Sequence, residues 1–416
     1  MIETVSPSRL SGTVVAPPSK SHLQRLIAIA ALADGESRIS GYAPSADVDA
    51  AISAVRELGA VLTIHDSEII ITKGISLDGP TSIHCGESGL AARMFSAIAA
   101  LSQKQITVTG EGSLLKRPFG MVHEALSQLG KTVVLTDGKL PMEISGTMMP
   151  SEICIDGSES SQLLTGLLIA LPILQGRSII HVGDLQSRPY VRMTIDTLAQ
   201  FGIQIRHEGF KKFIVEGNQR PQPTSLTVEG DWSGAALLLV GGAIAGEVTV
   251  TGLNPGSSQA DRAILDVLEM VAADVEVQTH RVSVKRNRLQ PFFFDATDCP
   301  DLFPPLAALA AYCDGKSSIM GTHRLRHKES DRAATITSVL RNLGIEVSSE
   351  DNAMHIVGGQ VSGGTVSSHN DHRIAMMAAT MGCRAADDII ITEAEAVNKS
   401  YPHFFRDMAS LTDQIR

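Results

Sequence analysis

Two helical textures alternate along this chain. One is apolar on every side, as in Leu26-Ile27-Ala28-Ile29-Ala30-Ala31-Leu32 and Leu306 to Ala311. A helix with no polar face is buried all round. The other sets Val191, Thr194, Ile195 and Leu198 against Arg192, Asp196 and Gln200. That spacing predicts a half-exposed amphipathic helix. Short β-branched runs stand between them, such as Ile106-Thr107-Val108, Ser178-Ile179-Ile180 and Val248-Thr249-Val250. Paired runs such as Val61-Leu62-Thr63-Ile64 and Ile69-Ile70-Ile71 read as hairpins.

The pattern recurs at roughly 70 residues. Strand, polar loop and apolar helix open at Val14 to Leu32, Ser82 to Leu101, Ile153 to Leu174, Leu226 to Ala245, Phe292 to Tyr312 and Thr365 to Cys383. Second helices are expected at Asp47 to Gly59, Met121 to Gly130, Val191 to Gly202, Ala263 to Ala272 and Ala333 to Gly344. The repeat therefore reads β-α-β-α-β-β. The predicted class is α/β, with buried helices inside and sheets outside, an inside-out barrel. A doubly wound parallel sheet is the ordinary alternative, but the closing hairpins and the repetition argue against it.

Unusual polar residues gather where these helices begin. In the first copy Pro17 and Pro18 end a strand, since proline has no N–H to give a ladder. Ser19 and Ser21 follow as candidate N-caps, with Lys20 and Arg25 beside them. Free N–H groups, a helix dipole and two fixed cations meet there, which makes an anion site in the physical sense. The second copy offers Gly89 and Arg93, then Lys116-Arg117. The third offers Ser160-Ser161-Gln162, then Ser187-Arg188-Pro189-Tyr190. The fifth offers Asp301, then Arg326-His327-Lys328-Glu329-Ser330-Asp331-Arg332. The sixth offers Asp371-His372-Arg373, then Asn398-Lys399-Ser400.

If the copies are related by rotation, about seven cations and several dipoles face one volume. Such a volume suits substrates carrying phosphates and carboxylates, with Arg placed for bidentate contacts. Each feature has a plainer reading when taken singly. Ser160-Ser161 reads as a helix cap, Asp371-His372-Arg373 as a solvated turn and His327 as a surface histidine. Cys85 and Cys299 read as core filler, and Arg262, Arg281 and Arg286 as surface charges. Joint placement carries the reading.

Composition narrows the field. A chain of 416 residues suggests two or three domains. A net charge of −10 disfavours a generic nucleic-acid or membrane binder, so a local basic site would be a built one. The five scattered cysteines form no CxxC pair and read as reduced, so the cytoplasm is the expected location. No basic stretch followed by an apolar one opens the chain, so no leader peptide is expected. No apolar run of about 18 residues is free of charge, Pro or Gly clusters, so no membrane span is expected.

Nine segments in order also match a known family: Pro18-Ser19-Lys20-Ser21 with Arg25, Glu87-Ser88-Gly89, Lys116-Arg117-Pro118, Asp156 to Gln162, Ser187 to Tyr190, Pro300-Asp301, Lys328 to Arg332, Asn370 to Arg373, and Lys399-Ser400 with Pro402. Through them the chain resembles the EPSP synthases, within the enolpyruvyltransferases, nearly end to end. The resemblance implies two domains of three repeats each, residues 18–227 and residues 1–17 with 228–416, with an active site in the cleft between them. It implies transfer of the enolpyruvyl group of phosphoenolpyruvate to the 5-hydroxyl of shikimate 3-phosphate, with release of phosphate. Shikimate 3-phosphate is then expected at Lys20, Ser21, Arg25, Ser160, Ser161, Gln162, Ser187, Asp301 and Lys328. Phosphoenolpyruvate is expected at Lys20, Gly89, Arg117, Gln162, Arg332, Arg373 and Lys399. Asp301 is the expected base, and Glu329 the acid, with Lys20 assisting. No metal or organic cofactor is implied. The expected partners are the two small molecules, with no nucleic acid, no membrane and a monomeric chain.

Some positions depart from the common bacterial pattern. Glu87-Ser88-Gly89-Leu90 stands where the family often has Asn-Ala-Gly-Thr, and Arg324 where many members have Asn. His22 and Gln24 are also less usual. The nearest rival is the sister enolpyruvyltransferase acting on UDP-N-acetylglucosamine, which commonly carries a Cys in the loop before its Arg. The loop Gly110 to Pro118 has none. An inactive anion-binding scaffold is a third reading, and Asp301, Glu329 and Lys20 together speak against it.

Overall fold

The computed structural model describes residues 1–78, 81–326 and 328–412, so His327 lies outside the described residues. The chain forms two compact units, Met1–Ser19 with Glu229–Arg416, and Lys20–Val228. Among the described residues the α-helices are α1 (Lys20–Ala30), α2 (Ala46–Glu57), α3 (Gly89–Ala99), α4 (Gly120–Gln128), α5 (Gln162–Ala170), α6 (Arg188–Gln200), α7 (Trp232–Ala245), α8 (Ile264–Met270), α9 (Phe303–Ala310), α10 (Arg332–Asn342), α11 (His372–Gly382) and α12 (Phe404–Ser410).

The two textures separate as their polarity dictates. Every residue of α3, α7, α9 and α11 is buried, and α5 is buried beyond Gln162. The amphipathic α2, α6 and α10 each bury one stripe. Within Lys20–Val228, α3 packs against α5; within the other unit, α7, α9 and α11 pack on one another. Small residues permit the closest approach. A Cβ at Gly166 of α5 would lie 2.6 Å from the Met94 carbonyl oxygen and 2.8 Å from its Cα in α3.

Among the described residues there are six sheets, five of four strands and one of three. The usual plan is seen in Ser82–His84, which runs parallel to Ile106–Thr109; the hairpin Lys131–Thr136 and Lys139–Gly146 follows antiparallel. Two strands do not stay with the helix that follows them, contrary to the expected openings at Val14 and Leu226. Leu10–Val15 pairs in parallel with Gly246–Thr251, in the sheet that follows α7. Ser225–Thr227 pairs in parallel with Ser37–Ser40, in the sheet that follows α1. The first and fourth copies thus exchange their opening strands. These are edge strands, whose local pattern fits either sheet, so pairing is decided by the neighbouring strand rather than by propensity. Among the described residues the sixth copy has no closing hairpin; Ile2–Val5 pairs antiparallel with Ile389–Thr392 instead.

Gly166→Ala is expected to force α3 from α5 and cost about 1–3 kcal/mol. The check is the urea midpoint, which should fall with its m-value unchanged. An unaltered midpoint would mean that the two helices do not pack this closely.

Candidate active site

In the unit Lys20–Val228, cations stand near helix N-termini. Helix α1 begins at Lys20, so Ser21 sits inside the first turn and does not cap it. Lys20 Nζ pairs with Asp47, in the first turn of α2, at 2.8 Å. Arg25, one turn further, is 2% exposed. Its Nε donates to Thr194 Oγ1 (2.9 Å), its Nη1 to the Ser21 carbonyl (2.7 Å), and its Nη2 to Thr165 Oγ1 and the Tyr190 carbonyl (both 3.2 Å). Burial draws its pKa down to about 10, so it stays charged at neutral pH. All four of these acceptors are neutral, and a buried cation with neutral hydrogen-bond partners can accept an anion.

Gly89 opens α3 after Ser88, whose hydroxyl accepts from the Ala91 N–H (3.3 Å). A Cβ at Gly89 would stand 2.5 Å from Arg117 Nη1 and 3.1 Å from Arg93 Nη1. The missing side chain lets two guanidiniums reach the positive end of a helix. Arg93 Nη1 donates to Gln162 Oε1 (2.8 Å) and Nη2 to the Pro118 carbonyl (3.2 Å). Burial, then the like charge of Arg117, lowers the Arg93 pKa to about 10. At the start of α5, the Gln162 N–H donates to Ser160 Oγ (3.2 Å), and Ser161 makes no side-chain cap. Ser187 precedes α6 with φ +55° and is buried. A left-handed non-glycine residue stores about 1–3 kcal/mol, a kind of strain that clusters at functional sites.

In the other unit acids cap three of the helices. Asp231 accepts from the Gly234 N–H (3.0 Å) at α7, Asp331 from Ala334 (3.3 Å) at α10, and Asp371 from Arg373 (3.0 Å) at α11. Arg332, 1% exposed, binds three carboxylates. Its Nε donates to Asp371 (2.8 Å), its Nη1 to Asp301 (2.6 Å) and its Nη2 to Glu329 (2.6 Å). Lys328 Nζ lies 3.2 Å from Asp301, and Lys399 Nζ donates to the Asn370 carbonyl (2.9 Å).

Opposing forces set the charge states here. Burial would raise the Asp301 pKa, but Lys328, Arg332 and Arg373 outweigh it and hold the carboxyl well below its ordinary value. Burial opposes the charge of Arg332, yet Asp371, Glu329 and Asp301 hold its pKa well above the usual one. Burial likewise opposes Arg373, and Asp301, Asp231 and Asp261 overcome it. Lys328 is lowered, because burial exceeds the pull of Asp301. Burial, then the charge of Asp301, pushes Asp261 up to about 7, although Arg373 and the Ser233 hydroxyl favour its ionised form.

The expected residues fall into two groups. Lys20, Ser21, Arg25, Gly89, Arg117, Ser160, Ser161, Gln162 and Ser187 belong to Lys20–Val228; Asp301, Lys328, Glu329, Arg332, Arg373 and Lys399 belong to the other unit. Gly89 and Arg117 meet directly, and Arg93 links that pair to Gln162. Asp301, Lys328, Glu329 and Arg332 meet in ion pairs. Asp371 is not a solvated turn: it is 0% exposed and also accepts from Ser330 Oγ (3.0 Å). Its place just before an apolar helix was the signal for a cap. Thr165, Thr194, Asp261 and the buried Arg324 carried no such signal, because their neighbours are distant in sequence. The thiols of Cys85 and Cys299 are buried, and burial raises both. Among the described residues no helix is long and apolar enough to cross a membrane.

This fold is that of the enolpyruvyltransferases. EPSP synthase from Acinetobacter baumannii superposes with a TM-score of 0.84, at 25% identity over 99% of this chain and 98% of that one. The enolpyruvyl transferase NikO from Streptomyces tendae shares the fold at 18% identity, with a TM-score of 0.78 over 99% of this chain and 97% of that one. The family model for EPSP synthase (3-phosphoshikimate 1-carboxyvinyltransferase) matches residues 5–408, and the chain belongs to that family. The 3-phosphoshikimate 1-carboxyvinyltransferase of Clostridium kluyveri is 36% identical, covering 99% of this chain and 97% of that one. Its counterpart from Clostridium novyi is 35% identical, covering 97% and 95%.

Asp261 generates a pH prediction. Its folded pKa of about 7 lies above the ordinary carboxyl value. Its contribution to stability is therefore complete below about pH 4 and is lost as pH rises through about 7. Asp261→Asn removes that loss, so variant minus wild-type stability should grow between pH 4 and pH 8 in urea titrations. A difference independent of pH would contradict the raised value.

Proposed function

We infer that this protein transfers the enolpyruvyl group of phosphoenolpyruvate to the 5-hydroxyl of shikimate 3-phosphate, releasing phosphate, a step of aromatic amino acid biosynthesis. Membership of the family over residues 5–408 supports the reaction. The observation that carries the residue assignment is Asp301, a carboxylate held ionised by Lys328 and Arg332.

Two polyanions held side by side repel, by about 4 kcal/mol per pair of unit charges at 4 Å near a protein surface. Cations must surround both. We assign Lys20, Ser21, Arg25, Ser160, Ser161, Gln162, Ser187, Asp301 and Lys328 to shikimate 3-phosphate. Lys20, Gly89, Arg117, Gln162, Arg332, Arg373 and Lys399 are assigned to phosphoenolpyruvate. Both sets serve one substrate pair in this reading. Each unit is proposed to wrap its sheets about its buried helices, which puts those helix starts at one end.

Asp301 takes the proton of the 5-hydroxyl, whose oxygen attacks the central carbon of phosphoenolpyruvate. Paired with Lys328 and Arg332 it is too weak a base for this. Substrate anions that accept from those cations draw them away and let its pKa rise. Glu329, with Lys20, gives a proton to the methylene, and a tetrahedral ketal phosphate results. Elimination returns a proton from the methyl group and breaks the carbon–oxygen bond to phosphate. The Arg and Lys side chains stabilise the anionic intermediate. The chain is proposed to act as a monomer in the cytoplasm.

With phosphoenolpyruvate present, phosphate release should require shikimate 3-phosphate and ignore UDP-N-acetylglucosamine; the reverse would overturn the reading, and binding without release would favour a mere scaffold. Asp301→Asn should keep shikimate 3-phosphate affinity within a few-fold by calorimetry while kcat falls about 10²–10⁴-fold. Near-normal turnover would remove Asp301 from its role.

A further inference from the structure

Two loops of the unit Lys20–Val228 are fastened to each other beside Gly89. The Glu111 N–H donates to the Gly86 carbonyl (2.9 Å). Two residues on, Ser113 donates twice to one carboxylate oxygen of the half-buried Glu87, from its N–H (3.0 Å) and its hydroxyl (2.8 Å). The fit is close, because a Cβ on Gly112, at φ +55°, would overlap the Glu87 carboxylate. The 3₁₀ turn Gly112–Lys116 then leads directly into Arg117, whose N–H donates to the Leu114 carbonyl (3.1 Å). Arg117 Nη1 comes to rest against Gly89, two residues beyond Glu87. This carboxylate, together with the Glu111–Gly86 backbone bond, sets the register between the loop that carries Gly89 and the loop that carries Arg117.

We propose that Glu87 is a positioning residue for phosphoenolpyruvate: by clasping Ser113 it sets where the Arg117 guanidinium stands at the start of α3. This rests on the assignment of Arg117 to that substrate. The charge of Glu87 taken alone would repel an anion at Gly89. Electrostatics and geometry thus give opposite signs for its removal.

Steady-state kinetics of the full chain separate them. Glu87→Ala should raise KM for phosphoenolpyruvate about tenfold, the loss expected for two bonds to a charged acceptor, with kcat within about twofold. Shikimate 3-phosphate affinity, read by calorimetry without phosphoenolpyruvate, should not change. Ser113→Ala should shift KM in the same direction, and the double variant should be no worse than Glu87→Ala, as for partners in one contact. Glu87→Gln keeps an oxygen to accept both bonds and should retain most of the affinity. The proposal is overturned if Glu87→Ala leaves KM unchanged or lowers it, if shikimate 3-phosphate affinity falls equally, or if Glu87→Gln is as impaired as Glu87→Ala. Arg117→Ala tells the two claims apart. A raised KM there, with Glu87→Ala normal, sinks the clasp alone, whereas a normal KM in Arg117→Ala sinks the assignment beneath it.

Discussion

A helix with no exposed face can end only at polar groups, and here those ends hold the candidate chemistry. Each helix start leaves four N–H groups without an internal partner and carries a partial positive charge. In a buried helix water cannot satisfy them freely. The chain meets this demand in two ways. In Lys20–Val228 the caps are neutral, and Lys20, Arg25, Arg93 and Arg117 stand close to helix starts. In the other unit Asp231, Asp331 and Asp371 cap α7, α10 and α11.

Arg332 shows what balance costs in a buried site. An unpaired cation there would carry a heavy desolvation penalty. Three carboxylates offset it, and in turn Arg332 keeps Asp301 and Glu329 from repelling each other outright. Breaking such a cluster by removing one partner costs about 3–5 kcal/mol, since a charge is left behind. The same pairing holds the Asp301 carboxyl well below its ordinary pKa.

The structure also explains the glycines that matter at the site. Gly89 is needed for the approach of Arg117 and Arg93, and Gly112 for the carboxylate of Glu87. Neither is a mere flexible joint. Each marks a place where a charged group must come closer than a Cβ would allow.

Much of this was legible in the chain. The all-apolar runs announced α3, α7, α9 and α11 as buried, because no rotation of such a helix can hide half of it. Polar residues near several helix starts stood out as candidates, because cap chemistry is local. Exchange of the strands Leu10–Val15 and Ser225–Thr227 was not legible in their local pattern, since either strand satisfies either sheet; only the family resemblance, which set residues 1–17 with 228–416, parted them from the helices that follow. Burial of Asp371 and the partners of Arg25 were hidden for a related reason: Thr165 and Thr194 lie far along the chain, and nothing in their own surroundings says what they face. Periodicity and capping act over a few residues, so sequence alone determined the elements and the kinds of group at their ends. Charge states and pairings depend on distances across the fold, and only the tertiary structure decided them.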